Sequence, residues 1–349
     1  MSIQHLPVFG ICGHSGSGKT TLIEQLLPRL RSRGLRVAVI KHSTHHVNVD
    51  TPGKDSDRFY NAGADVLLQG PDQSFLRSHQ GGQTGLAGVV ETLADAYDLV
   101  LIEGHKNYDA PKIWLLSEGP QLPPANLTEV AGVLSWSSER LPAALEILER
   151  FLQERCRQTP VLGCVLIGGK STRMGRPKHL LAQDRKTWLE LIVDRLAQVT
   201  QNVCIVGNGD LPEGLRLHVR LPDVPGVAGP LAGLLAAMRW APRASWLVAA
   251  CDLPRLSVEA LQWILSTRQP GVWATIPACP GPDDLQPLLA HYDFRSRLLL
   301  EEMAAGGNAR LHSIASYPNV ARPLVPQELV SAWTNVNTAP ELKSIADNI

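Results

Sequence analysis

Residues Gly13-His14-Ser15-Gly16-Ser17-Gly18-Lys19-Thr20 constrain this chain more than any other stretch. They follow an apolar run, Val8-Phe9-Gly10-Ile11-Cys12, and they open a segment from Thr20 to Arg33 with helical spacing. Leu22, Ile23, Leu26, Leu27 and Leu30 form its apolar stripe, and Gly34 ends it. A short apolar run, a glycine turn and an amphipathic helix in that order predict a strand–loop–helix unit of a parallel α/β sheet. The spacing G-x-x-x-x-G-K-[ST] is complete. Its glycines let backbone N–H groups curl around phosphate oxygens, while Lys19 brings a cation to the outer phosphates. Thr20 supplies an oxygen to Mg²⁺, and the helix points its positive end at the same anion. A chance glycine turn is the bland alternative, and the strand before and helix after argue against it.

A second apolar run, Gly163-Cys164-Val165-Leu166-Ile167, opens into Gly168-Gly169-Lys170-Ser171-Thr172-Arg173-Met174-Gly175. This loop echoes the first only superficially, because the position five before Gly169 is Cys164 and not glycine. Two glycines expose backbone N–H groups there, and Arg173 and Lys178 bring two cations. The combination suits a triphosphate whose α-phosphorus must be made electrophilic; a basic surface turn is the alternative. Asp223 precedes Gly229-Pro230-Leu231-Ala232-Gly233, and Asp252 ends the apolar run of Ala249-Ala250-Cys251 before Leu253-Pro254. A carboxylate at a strand end followed by a proline turn is well placed to ligate Mg²⁺, although either acid alone could be a turn residue.

With 349 residues the chain is too long for one core. A charged helical stretch, Leu145 to Arg157, closes at Gln158-Thr159-Pro160 and divides it into domains over 1–155 and 161–349. Buried strands are expected at Val37–Ile40, Val66–Leu68, Leu99–Ile102, Val203–Val206 and Trp246–Ala250. Helices are expected at Trp188–Val199, Leu231–Arg239, Val258–Leu265 and Phe294–Ala304. His42, His45, His46 and Asp50 gather after Lys41, and Glu103 ends the Leu99–Ile102 run. Glu103 can hold the Mg²⁺ water shell or polarise a water. The loose histidines, with no cysteine beside them, read as polar loop residues in preference to a transition-metal site.

Lysine plus arginine and aspartate plus glutamate are each 33, so the formal net charge is zero. No global field recruits nucleic acid and no polybasic tail seeks a membrane surface. The six cysteines include no Cys-x-x-Cys pair and read as small core residues of a reducing compartment. Without a signal-like N-terminus or a membrane-length apolar stretch, the expected location is the cytoplasm.

The first half resembles the MobB family of GTP-binding proteins. The matching pieces are the glycine loop through Thr21, Lys41-His42, Asp50, Pro52-Gly53-Lys54-Asp55-Ser56, Arg58, Ala62-Gly63-Ala64, Glu103-Gly104-His105-Lys106 and Pro111-Lys112-Ile113. The resemblance implies GTP held by Gly13, Gly16, Ser17, Gly18, Lys19, Thr20, Thr21 and Glu103, with weak hydrolysis and frequent dimerisation. It also implies an accessory role in molybdenum cofactor maturation, with molybdenum-insertion proteins and apo-molybdoenzymes as partners.

The second half resembles MobA, the molybdenum cofactor guanylyltransferase, over Gly163 to about Leu342. The resemblance rests on the arginine-bearing glycine loop with Lys178, Val206-Gly207-Asn208, Asp223 with Gly-Pro-Leu-Ala-Gly, and Cys-Asp-Leu-Pro at Asp252. Gln286-Pro287-Leu288 and Asn335-Val336-Asn337-Thr338 complete it. It implies GTP contacts from Leu166, Ile167, Gly168, Gly169, Lys178, Asn208 and Asp223, Mg²⁺ on Asp252, and Asn335 and Asn337 on the pterin side. The expected class is therefore α/β, with an N-terminal P-loop NTPase domain and a C-terminal Rossmann-like nucleotidyltransferase domain, each of three layers. The expected reaction moves GMP from GTP to the terminal phosphate of molybdopterin, with Arg173, Lys178 and Asp252 as the catalytic residues. A CTP-using analogue, a sugar-phosphate nucleotidyltransferase and a GTP-regulated chaperone or adaptor are the competitors. The glycine pair and Gly-Pro-Leu-Ala-Gly favour GTP, and the MobB-like half disfavours a sugar-phosphate substrate.

Overall fold

The computed structural model describes residues 6–41, 49–79, 85–118, 122–137, 139–168, 177–183, 185–281 and 284–336. The chain divides into two compact units, Met1–Phe151 and Leu152–Ile349.

The first unit contains β1 (Val8–Gly13), α1 (Lys19–Arg31), β2 (Val37–Lys41), α2 (Asp55–Asn61), β3 (Val66–Gln69) and β4 (Ser74–Arg77). It continues with α3 (Gly85–Ala94), β5 (Leu99–Glu103), β6 (Lys112–Leu115), β7 (Val130–Leu134) and α4 (Arg140–Gln158), a helix that contains the unit boundary. Five strands form one parallel sheet in the order β2-β5-β1-β6-β7. β1 and β5 are apolar along almost their whole length because both their faces are covered. On one face Val8, Val100 and Ile102 pack with Val90 and Ala94 of α3. On the other, the Phe9 ring meets Phe151 of α4 edge-on at 4.9 Å. α1 buries Leu22, Ile23, Leu26 and Leu30, four members of the stripe legible in the sequence.

Two expectations of burial fail here: Val37–Ile40 is a strand of this sheet, but it is the edge strand and Val39 is 40% exposed. Val66–Leu68 is not a buried strand of this sheet: β3 pairs antiparallel with β4 as a separate hairpin, and Leu67 is 62% exposed. A short apolar run carries no signal that separates a core strand from one strand of a hairpin.

The second unit contains β8 (Val161–Leu166), β9 (Ala182–Gln183), β10 (Lys186–Thr187), α5 (Trp188–Ala197), β11 (Val203–Val206), β12 (Val219–Leu221) and α6 (Pro230–Trp240). β13 (Ser245–Ala250), α7 (Val258–Ser266), β14 (Ala274–Thr275), β15 (Leu289–Tyr292), α8 (Ser296–Ala305) and β16 (Val320–Ala321) follow. Its sheet has the order β12-β11-β8-β13-β15-β14-β16. β12, β11, β8 and β13 run parallel, and β15 is antiparallel to both β13 and β14. Val165, Ile205, Leu247 and Ala249 face a core completed by α5 and α7. Cys164, Cys204, Val206, Trp246 and Val248 face the core of α6 and α8. Helices on both faces of a mostly parallel sheet make this unit doubly wound. The chain leaves β8 toward β11 and later returns past it to β13, so the carboxyl end of β8 stands at a topological switch point. Five of the cysteines are buried and all six are free thiols. Among the described residues, no helix is long and apolar enough to cross a membrane.

Candidate functional site

The candidate residues of each unit gather at the carboxyl ends of inner strands, β1 in the first unit and β8 and β13 in the second. In the first, Gly13 has φ +152°, and a Cβ built on it would lie 2.4 Å from Ser17 Oγ and 2.6 Å from the Leu115 carbonyl oxygen. Only glycine lets the chain curl this tightly. Ser17 is wholly buried, and Gly18 (φ +82°) begins α1 in a left-handed conformation that orients the following backbone. Lys19 Nζ donates to the carbonyls of Gly13 at 3.2 Å and His14 at 2.8 Å, so its cation lies across the mouth of the loop. Thr20 Oγ1 donates to Glu103 Oε1 at 2.9 Å across 83 positions of sequence, and Lys41 Nζ stands 3.7 Å from Glu103 Oε2. The Glu103 side chain is only 12% exposed. Thr21 is exposed on the first turn of α1.

Arg140 supports this loop from α4. Its Nη1 donates to the Ser17 carbonyl at 2.8 Å, its Nε to the Ser135 carbonyl at 2.6 Å, and its Nη2 to the Leu116 carbonyl. Burial lowers the pKa of its guanidinium from the ordinary arginine value. No motif flags Arg140, because it acts through backbone oxygens and lies 123 positions from Ser17. Asp50, Ser56 and Asp57 gather elsewhere: Ser56 donates to Asp50 at 2.9 Å, and Arg77 bridges Asp50 at 3.2 Å and Asp57 at 2.9 Å. His42, His45 and His46 lie outside the described residues.

In the second unit, Lys178 Nζ and Asp252 Oδ2 are 3.1 Å apart, with side chains 16% and 21% exposed. Lys178 belongs to a single 3₁₀ turn, Lys178–Leu180, while Asp252 follows β13. Ala250 pairs with Leu166, and the Cys251 N–H donates to the Leu166 carbonyl at 3.2 Å, so the Asp252 turn begins beside the end of β8. Burial and the Asp252 carboxylate push the Cys251 thiol up to about 12, which leaves it a packing group and no nucleophile. The side chain of Ile167 is buried, Leu166 is half-buried, and Gly168 is exposed beyond them.

Gly207 has φ +117°, and a Cβ there would lie 1.9 Å from the Ile167 carbonyl oxygen. This close approach presses the Asn208 turn onto the β8 loop and leaves Asn208 exposed. His179 Nε2 meets the Asp210 carbonyl at 2.9 Å, and Arg220 Nη2 donates to the Gly209 carbonyl at 2.7 Å, so both brace that turn. Asp223 Oδ1 would be 3.2 Å from a Cβ on Gly233, which lets α6 start close to the aspartate. Asn335 is exposed. Beside it Val336 is buried with Leu181 and Trp188, and its N–H donates to the Asp252 carbonyl at 3.1 Å. The peg role of Val336 was missed in the sequence because a valine between two asparagines carries no chemical signal. Arg173, Gly169 and Asn337 lie outside the described residues.

Among the described residues, no three His, Cys, Asp or Glu side chains converge as a metal cage. Each loop offers hard oxygens instead: the Thr20 hydroxyl with Glu103, and the Asp252 carboxylate. That donor set fits Mg²⁺, which keeps its waters and takes one or two protein oxygens plus phosphates.

Two family models match the chain: molybdopterin guanine dinucleotide synthesis protein B (MobB) over residues 8–136, and the MobA-like NTP transferase domain over 163–318. The molybdopterin-guanine dinucleotide biosynthesis adapter protein of Escherichia coli is 33% identical over 153 residues, covering 41% of this chain and 83% of the relative. The probable molybdenum cofactor guanylyltransferase of Bacillus mycoides is 31% identical over 189 residues, covering 51% of this chain and 92% of the relative.

The chain belongs to the MobB and MobA-like families, joined in one polypeptide.

The adapter protein of Haemophilus influenzae is 43% identical over 117 residues, 32% of this chain; the chain spans 64% of that relative's length. The MobB unit thus carries the Gly13–Thr20 loop, and the MobA-like unit, a nucleotidyltransferase of molybdenum cofactor biosynthesis, carries Lys178 and Asp252.

Proposed function

We propose that this chain transfers GMP from GTP to the terminal phosphate of molybdopterin, with or without bound molybdenum. A phosphate oxygen of the pterin forms a bond to the α-phosphorus of GTP, the bond from that phosphorus to the β-phosphate bridge breaks, and pyrophosphate leaves. The observation that carries this reading is the 3.1 Å pair of Lys178 and Asp252 where β8 and β13 end side by side. One cation and one anion at the mouth of an α/β switch point match what a metal triphosphate needs.

In this reading Lys178 and Arg173 hold the leaving phosphates, and the backbone of Leu166, Ile167, Gly168 and Gly169 lines them. Asn208 and Asp223 contact the rest of GTP, while Asn335 and Asn337 face the pterin. Asp252 would hold Mg²⁺, which supplies charge neutralisation at the phosphates. No protein nucleophile is needed, in keeping with the neutral Cys251 thiol. The MobB unit binds GTP through Gly13, Gly16, Ser17, Gly18, Lys19, Thr20, Thr21 and Glu103, and Thr20 would hold a separate Mg²⁺ there. It hydrolyses GTP weakly and serves delivery to molybdenum-insertion proteins and apo-molybdoenzymes.

The test is a product assay with purified protein, Mg²⁺ and molybdopterin, offering GTP, CTP or ATP separately. Pyrophosphate and a GMP-bearing pterin are expected with GTP alone, and Asp252→Ala should lower that rate by about 100-fold or more. Product with CTP alone would replace the base assignment. No product with any nucleotide, while GTP still binds, would leave the adaptor reading.

A further inference from the structure

We propose that Trp136 is a stacking platform for the nucleobase of the nucleotide whose phosphates the Gly13–Thr20 loop holds, an inference that rests on the nucleotide-binding reading of that loop. Trp136 stands two residues past the end of β7, on the same carboxyl edge of the sheet from which the loop leaves β1. It is 52% exposed. A single exposed tryptophan is unremarkable by itself. This one is held in place against the phosphate loop. A Cβ built on Gly18 would lie 3.6 Å from its Cζ3 and 3.9 Å from its Cη2, so the rim of the indole abuts the residue before Lys19. The Arg140 guanidinium covers the ring with its carbon 4.8 Å from the centroid.

Arg140 is itself immobilised by the carbonyls of Ser17, Ser135 and Leu116, which belong to the loop and to the ends of β7 and β6. The indole is thereby fixed by its rim and by Arg140, and about half of the residue, 52%, remains open to solvent. A nucleoside linked to phosphates in the loop begins within a sugar's length of Gly18. Its base is a flat π-system that must lose water on binding. A pre-oriented aromatic beside the cradle receives it with little ordering cost, and the adjacent guanidinium adds to the contact. Stacking favours a large π-surface and reads no hydrogen-bond edge. The ligand class is therefore purine nucleoside di- and triphosphates, with base choice left to other groups.

The test is calorimetric binding of GTP, GDP and inorganic tripolyphosphate to the full chain with Mg²⁺, comparing the wild type with Trp136→Ala, Trp136→Phe and Lys19→Ala. Lys19→Ala identifies the binding component that belongs to this loop. For that component Trp136→Ala should weaken GTP and GDP about 10- to 100-fold. Trp136→Phe should stay within about threefold of wild type, and tripolyphosphate should be unaffected by either change. Unchanged GTP affinity in Trp136→Ala overturns the proposal. So does an equal loss for tripolyphosphate, which would make the indole a prop of the loop and no contact of the base. If Lys19→Ala removes no GTP-binding component, the nucleotide reading of the loop itself has failed and takes this proposal with it.

Discussion

Gly207 and His291 show how single positions carry obligations that composition hides. At Gly207 a methyl group would have to occupy the space of the Ile167 carbonyl, 1.9 Å away, at a φ of +117°. Gly207→Ala should therefore cost about 3 kcal/mol or more, read as a lowered urea midpoint with an unchanged slope. His291 lies in β15, 3% exposed, with Arg268 and Asp293 as its charged neighbours. Burial, aided by Arg268 and opposed by Asp293, lowers its pKa to about 3. The unfolded chain binds this proton below about pH 6.5 and the folded chain refuses it until about pH 3. Stability is then full above the upper value and falls as the pH drops through the window, by up to about 1.4 kcal/mol per unit. Denaturation midpoints measured from pH 7 to 4 should show that slope, and His291→Leu should flatten it. A slope identical in the variant would assign the acid sensitivity to other groups.

Elements were legible where local chemistry and burial agreed. α5 is one such case, since Thr187 and Glu190 close a reciprocal capping box: the Glu190 N–H donates to the Thr187 hydroxyl at 3.2 Å, and the Thr187 N–H donates to the Glu190 carboxylate at 2.7 Å. Thr187→Ala should cost about 1 kcal/mol, measurable as a shift in the same urea midpoint. The P-loop strand and helix, β11, β13, α6 and α7 were all readable from apolar runs and helical stripes within a residue or two. β4, β6 and β7 were not: Ser74 and Arg77 bound β4, Lys112 opens β6 and Gly132 interrupts β7, so none reads as an unbroken apolar run. The hairpin of β3 and β4 was misread for the related reason that its leucines look like core and lie at the surface. At the candidate sites the same division holds. Thr20 with Glu103, and Lys178 with Asp252, each came from motif chemistry and do meet in space. Arg140, Trp136 and Val336 serve those sites through backbone carbonyls, a ring face and a buried methyl contact, none of which leaves a pattern in sequence.

At the scale of the whole molecule, the two loops lie in different units and should fail separately. Asp252→Ala should abolish nucleotidyl transfer while leaving the GTP binding that depends on Lys19 within about twofold of wild type. Titrating the variant with GTP alongside the product assay checks both halves of that expectation, and a joint loss would mean that the sites are coupled. Both units are read from one polypeptide, with α4 ending at Gln158 and β8 starting at Val161. Ribosomes therefore issue them in strict one-to-one supply, and no dilution can part them. Separate proteins reach such parity only through matched expression; here the reading frame enforces it.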